Sequence, residues 1–202
     1  MATQDTRSAN TTARILAAAR TLFLTRNYAD VTTDTIAKAA KVTKGGLYHH
    51  FASKELLYLS MMLDDLDAKR ALFEQAVAMD GTCRQRLARL TRDFLVLPTE
   101  ERELIGLVRR DINTFSGAYR DRLVRAYQRS LPEQVEAIVR DGIEAGELAK
   151  SDPRLLSWSF VALVEIVIGD RAARVLGGVE ARLDHVLGLF FEGAAVPAGV
   201  LR

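Results

Sequence analysis

The stretch TTDTIAKAAKVTKGGLYHHFASKELL, Thr32 to Leu57, decides the reading of this chain. Thr33 is a suitable N-cap for a short helix ending near Ala40, with Ile36, Ala37 and Ala40 facing inward. KVTKGG then makes a tight turn into a second short helix, Lys44 to His50, and Ser53 caps a third. Two short helices joined by a tight turn and flanked by longer ones form a helix-turn-helix unit. Gly45 and Gly46 make the second helix slim enough to approach phosphates and base edges. They do so at roughly 1 kcal/mol each relative to alanine in a helix interior, a cost a purely structural helix would avoid. Leu47 points inward; Tyr48 and His49 project outward with polar tips suited to phosphate oxygens, and Lys54 reaches toward the same strand. His49-His50 does not read as a metal pair, because adjacent helical residues diverge by about 100° and no third ligand is near. Gly-Gly with Lys44 does not read as a phosphate loop, which needs a preceding strand and the pattern G-x-x-x-x-G-K-[ST].

Helical periodicity continues on both sides of this stretch. Ile15, Leu16, Ala19, Leu22 and Phe23 form one stripe, so a helix is expected over 10–26. After the helix from Ser53 to about 79, further helices are expected at 82–97, 100–114, 118–146, 153–176 and 179–193. Pro132 should kink the third of these or mark a fresh start. These make about nine helices in an all-α fold, with residues 1–9 as a flexible tail and VPAGVLR loose at the other end. The chain has 202 residues, 49% of them hydrophobic and 27% charged, as in soluble globular proteins. One cysteine, Cys83, excludes an intramolecular disulfide. There is no apolar signal core, and the most apolar run, 155–168, contains Glu165 and is too short to span a bilayer. A cytoplasmic protein with no membrane association is expected. The net charge of +2 conceals an asymmetry: residues 1–54 carry eight basic and three acidic side chains, a local +5, while the rest sums to −3. A basic front end on a slightly acidic body points to a polyanionic partner for the front alone.

The run T-x-x-x-I-A-K-A-A-K-V-T-K-G-G-L-Y-H-H-F-A-S-K-E-L-L resembles the N-terminal signature of the TetR/AcrR repressors. The upstream ARILAAARTLFLTRNYADVTT is similar as well, so that the likeness covers about residues 10–60 without a gap. Lys41 departs from the pattern, standing where the family usually has glycine. The resemblance implies that Thr33 caps its helix and binds a phosphate, that Thr43, Lys44 and Gly45 face base edges with Gly46 beside them, and that Tyr48, His49 and Lys54 hold the DNA backbone. His50 is implied to be partly buried. It further implies two domains: a DNA-binding domain over 1–54 and a helical body over 55–202 that binds a small ligand and dimerises through its last two long helices.

The body is compatible with that division. LLSWSFVALVEIVIG is apolar on nearly all sides, and the last helix carries a second apolar stripe. Val164, Ile168, Leu183, Val186, Leu187 and Phe190 are the expected dimer contacts. Phe94, Leu104, Val108, Ile112, Phe115, Tyr127, Trp158, Val161 and Glu165 are the expected pocket walls, with Arg109, Arg110, Asn113 and Glu165 available to a ligand's polar head. The basic groups suit an acyl-CoA; Trp158 with Glu165 suits a multidrug-type cation. The expected function is a ligand-responsive repressor that binds a palindromic operator in double-stranded DNA as a homodimer and is released by a small effector. The alternatives are a constitutive DNA binder without an effector pocket and a multidrug-type cation sensor. No catalytic signature is present, Cys83 has no histidine nearby in sequence, and no cofactor or metal is expected.

Overall fold

The computed structural model describes residues 4–194. Helix α1 (Gln4–Thr25) starts earlier than its apolar stripe, so the expected flexible tail is helical from Gln4 onward. The tail VPAGVLR lies outside the described residues. After a 3-10 turn at Tyr28–Asp30 comes α2 (Thr33–Ala39). Its cap is Thr32, not Thr33: the Thr32 hydroxyl accepts from the Thr35 amide at 3.1 Å, and the Thr32 amide donates to the Thr35 hydroxyl at 3.1 Å. This reciprocal box needs a side-chain acceptor three residues on. Thr32 finds one in Thr35, whereas Thr33 would find Ile36.

The turn out of α2 is a closed motif. The Lys41 amide donates to the Lys38 carbonyl and the Val42 amide to the Ala37 carbonyl, at 3.2 and 3.0 Å. Lys41 adopts φ 54°, the left-handed conformation that glycine usually supplies here. Arg14 reaches from α1 to the Ala40 carbonyl at 2.6 Å and the Lys41 carbonyl at 3.0 Å, closing the helix end. Then follow α3 (Lys44–His50), capped by Thr43, and α4 (Lys54–Val77), whose first turn is held by Ser53 accepting from the Leu56 amide at 3.1 Å.

The remaining elements are α5 (Cys83–Leu95), α6 (Thr99–Asp111), a 3-10 turn at Ile112–Thr114, α7 (Gly117–Ser130), α8 (Pro132–Glu144), α9 (Pro153–Ile166), α10 (Asp170–Leu176) and α11 (Val179–Ala194). No strand occurs among the described residues. There are two helices more than expected. Pro132 begins a new helix rather than kinking an old one, since Leu131 leaves helical geometry at φ −129°. The run 153–176 breaks after Ile166, and Gly169, in extended conformation, opens α10.

The chain forms two compact units, the first running to Asp65 and taking in Leu107–Val124, the second comprising Leu66–Gly106 and the chain from Arg125 onward. The first unit is centred on Ile15, Ala19, Phe23, Ile36, Leu47 and Tyr58. Phe23, Tyr28, Tyr58 and Phe115 form an aromatic cluster with ring centroids 4.9–5.7 Å apart. In the second unit α8 packs on α9, and α5 lies against α8 and α11. Gly142 allows that approach: a Cβ there would fall 2.7 Å from the Cys83 Cβ. The Cys83 thiol is buried, and burial pushes its pKa up to about 12, which leaves it unreactive.

Five of the six expected dimer contacts, Val164, Leu183, Val186, Leu187 and Phe190, are buried within this one chain, with Phe160 edge-on to Phe190 at 5.0 Å. Ile168 is half-buried. The outward apolar residues of α9 are instead Leu155, Trp158, Ala162 and Ile166, spaced along one helical face, with Leu189 exposed on α11.

A left-handed lysine costs about 1–2 kcal/mol that glycine avoids, while glycine's extra freedom in the unfolded chain takes back roughly 0.4–1 kcal/mol. Lys41→Gly is therefore expected to stabilise the protein by up to about 1.6 kcal/mol, read as a higher denaturant midpoint at unchanged slope. A lower midpoint would mean that Lys41 contributes contacts outweighing its backbone strain.

Candidate nucleic-acid interface

Helix α3 presents its first turn to solvent. The Thr43 hydroxyl accepts from the Gly46 amide at 3.0 Å, leaving the amides of Lys44 and Gly45 as the open donors that every helix start carries. The two glycines differ in what their missing side chains allow. A Cβ on Gly45 would meet nothing within 4 Å, so no neighbour in this chain demands glycine there. A Cβ on Gly46 would lie 3.1 Å from the Thr43 hydroxyl, crowding the cap itself. Gly45 is therefore the glycine of the pair that this chain's own packing does not require.

Lys44 extends from this turn and pairs with Asp34 of α2 at 2.9 Å, which raises its pKa through hydrogen bond and charge together. The pair is exposed and screened by water, so little holds Lys44 back from another acceptor. Tyr48, on the next turn, is 43% exposed, and its hydroxyl shares a hydrogen bond with Thr33 at 3.1 Å. Thr33 is thus a partner of Tyr48 rather than a helix cap, and the two hydroxyls form one polar point bridging α2 and α3. His49 is exposed. His50 is half-buried, its Nδ1 3.0 Å from the Thr12 hydroxyl of α1, which agrees with the position implied for it.

Lys54 is the departure. Its ammonium donates to the carbonyls of Tyr28 and Val31 at 2.9 and 3.0 Å and lies 4.1 Å from the centre of the Tyr28 ring. Two of its three protons are thereby committed inside the unit, so Lys54 fastens the start of α4 to the segment after α1. Near the turn, the exposed Lys38 and Lys41 are the cations that sequence reasoning passed over. Their signal was their place in the chain, either side of the turn.

The proposed pocket residues divide between the units. Val108, Ile112 and Phe115 belong to the first, where Phe115 is part of the aromatic cluster. Phe94, Leu104, Tyr127, Trp158, Val161 and Glu165 belong to the second. There, Phe94, Leu104 and Val161 are buried, and Phe94 packs on Phe73 at 5.8 Å. Trp158 is 45% exposed with Arg154 over its ring, so it lines no enclosed wall. Tyr127 and Glu165 do meet, the tyrosine hydroxyl donating to the carboxylate at 3.1 Å. Arg110, expected at a ligand head, instead forks onto Asp111 at 2.8 Å and donates to the Phe23 carbonyl at 3.0 Å. In the first unit a groove of about 430 Å³ opens beside His50, floored by Leu56, Leu59 and Leu63 and edged by Asp64 and Arg122. None of the nine proposed wall residues lines it.

Two family models match this chain: "Bacterial regulatory proteins, tetR family" over residues 15–61, and "Tetracyclin repressor-like, C-terminal domain" over residues 80–168. The chain belongs to the tetR family of bacterial regulatory proteins. It is a helix-turn-helix, DNA-binding transcription regulator, and not an enzyme. The HTH-type transcriptional regulator UidR of Escherichia coli strain K12 is 34% identical over 77 residues. That match takes in 38% of this chain and spans 39% of UidR's length. Among solved structures, AibR in complex with isovaleryl coenzyme A and operator DNA is similar with TM-score 0.75 and 23% identity, over 89% of this chain and 97% of AibR. FadR from Bacillus subtilis in complex with stearoyl-CoA gives TM-score 0.75 and 20% identity, over 90% and 98%. The tetR fold therefore extends over nearly the whole chain, including the body where no long sequence motif was visible.

Gly45→Val should leave this regulator folded and at least as stable as the parent, since the site is open and valine exceeds glycine in helix propensity. It should abolish operator binding, because the branched side chain stands between α3 and the groove. Tyr48→Phe should weaken binding to all DNA sequences alike. Circular dichroism with gel shifts on a selected palindrome checks both, and unimpaired binding by Gly45→Val would remove the close-approach role.

Proposed function

We propose that this tetR-family regulator is a cytoplasmic homodimeric repressor that binds a palindromic operator and is released by a small amphipathic effector, with acyl-CoA thioesters as the leading class. The observation that carries the DNA-reading part is the open face at Gly45, flanked by Lys44 and by the Thr33–Tyr48 hydroxyl pair. Among the described residues no helix is long and apolar enough to cross a membrane. In this reading Thr43, Lys44 and Gly45 face base edges, Tyr48, Thr33 and His49 contact phosphate, and Lys54 supports them from behind. The effector class is supported by the isovaleryl coenzyme A in AibR and the stearoyl-CoA in FadR.

The homodimer rests on the outward stripe of α9, where Leu155 is 59% and Ile166 68% exposed, together with Leu189 of α11. Apolar residues at helical spacing on two neighbouring helices suit the same face of a second copy. The buried set, Val164 and Phe190 among them, would hold those helices together within each subunit. Release works as a population shift: an effector that prefers the conformation with badly spaced α3 helices lowers operator affinity. Helix α4 belongs to both units and is the proposed lever. The constitutive alternative is favoured by how many proposed wall residues are fully packed.

Ile166→Glu should give a folded monomer and Val164→Glu a misfolded or insoluble chain, since only the second places a charge in the subunit's own core. Sedimentation and thermal unfolding distinguish them; an intact dimer in Ile166→Glu would move the interface elsewhere. Titration of an acyl-CoA series with and without operator tests release. The effector should lose about 5–150-fold in affinity when operator is bound, and operator the same factor when effector is bound. Equal affinities for every compound in the series would favour the constitutive reading.

A further inference from the structure

The segment from Val31 to Lys54 contains four lysines and a single acid, Asp34. Asp34 stands in the first turn of α2. Its carboxylate faces the start of α3, where the Lys44 ammonium lies 2.9 Å from Oδ1 and 3.2 Å from Oδ2. Lys38 is four residues on along the same helix, the usual spacing for a helical ion pair, yet the carboxylate turns to α3. Folding does not call for this pair. Helix α2 is already closed by the reciprocal Thr32–Thr35 cap, and the Lys44 and Asp34 side chains are 59% and 63% exposed, so the pair adds little to stability. The helix dipole favours an acid in a first turn, but it does so without a lysine from another helix. On a face that meets a polyanion, a carboxylate also repels the partner.

What the pair changes is Lys44. A lysine is a mobile point charge on a long stem, with three donor protons and no fixed direction. The two oxygens of one carboxylate occupy at most two of those protons and leave at least one for an outside acceptor. Lysine and aspartate together carry no net charge. Held in this way, Lys44 is a placed hydrogen-bond donor rather than a free cation. The Thr33–Tyr48 hydroxyl pair, 3.1 Å apart, joins the same two helices, so the residue beside Thr33 presents its carboxylate from a braced position. A duplex that excludes water from this face strengthens the ion pair.

We infer that Asp34 is a positioning residue that sets the specificity of DNA reading, by holding Lys44 toward the acceptors of a base edge and withholding its charge from phosphates. This rests on the base-facing role of Lys44 proposed above. A guanine edge, where O6 and N7 both accept, is the contact that a held lysine suits. Random sequence offers mainly phosphate charge, and there a neutral pair contributes little to counterion release. Asp34 thus lowers binding to other DNA more than binding to the operator.

The test uses the full chain, with fluorescence anisotropy across a salt series on a selected palindrome and on a random duplex of equal length. Asp34→Asn is expected to bind the random duplex about threefold or more tighter at low salt, with a salt slope steeper by about one unit per subunit, as Lys44 becomes free to meet a phosphate. Operator affinity should change less, so the ratio of the two affinities falls. With Lys44→Gln already in place, Asp34→Asn should leave that ratio unchanged, since no lysine remains to be held. Equal tightening on both duplexes would reduce Asp34 to plain repulsion and overturn the proposal. A fall in the ratio that persists in the Lys44→Gln background would overturn it as well, because Asp34 would then act without Lys44. Lower thermal stability with an unchanged slope and ratio would make the acid a structural residue of α2. Failure of the base-facing role shows separately: Lys44→Gln alone would keep the parent's ratio, and the role of Asp34 would fall with it.

Discussion

A carboxylate buried at the end of α6 organises the first unit. Asp111 is 4% exposed and accepts from the Tyr58 hydroxyl at 2.9 Å and from both arms of the Arg110 fork. A charge so placed must be paired and hydrogen-bonded, or its desolvation would oppose folding. The Arg110 Nη2 that donates to Asp111 also lies within hydrogen-bond distance of the carbonyls of Phe23 and Arg26, where α1 leaves its last acceptors open. The same Asp111 raises the pKa of Arg110 and, after burial, that of Tyr58, keeping one charged and the other neutral. One carboxylate thus specifies where α1 ends, how Tyr58 of α4 enters the aromatic cluster, and where α6 stops. The helix-turn-helix stands on that arrangement, since α1 also supplies Arg14 to the turn and Thr12 to His50.

The elements of the reading head were legible because their signals are local. A glycine pair at a helix start, a threonine before it and a left-handed position after α2 are all visible within a few residues of one another. Thr33 was misplaced because two adjacent threonines both look like caps; the choice depends on which has a polar side-chain acceptor three residues later. Lys54 was misplaced for a different reason. A lysine beside a helix start reads as a surface cation, and only the fold brings the Tyr28 and Val31 carbonyls within its reach. Arg110 has the same character: beyond the neighbouring Asp111, its carbonyl partners lie more than 80 residues away along the chain.

The body was less legible, since apolar content alone does not say which surface covers it. Helix α9 is apolar around most of its circumference, and periodicity offers no way to divide its faces between the subunit's own core and another chain. The division follows from α8 and α11, which cover Phe160, Val161 and Val164 and leave Leu155, Trp158, Ala162 and Ile166 outside. The expected interface residues, Ile168 aside, are therefore apolar because they are buried within the chain's own core. The expected wall residues are hard to separate from core for the same reason: aromatic and branched side chains at helical spacing fill the core of each unit, and Tyr127 and Glu165 are polar groups among them that meet.

The basic front end also changes meaning once its side chains are placed. Of the eight cations in residues 1–54, Arg14 closes α2, Lys54 ties down the segment after α1, and Arg20 lies 3.6 Å from the buried carboxylate of Asp65. These three charges are spent inside the unit. Lys38, Lys41 and Lys44 remain exposed around the turn between α2 and α3, where a polyanion would be met. Counterion release depends on the cations that reach phosphate, not on the formal charge of a segment. The local +5 is thus partly scaffold, and Lys38, Lys41 and Lys44 are the exposed cations clustered at the turn.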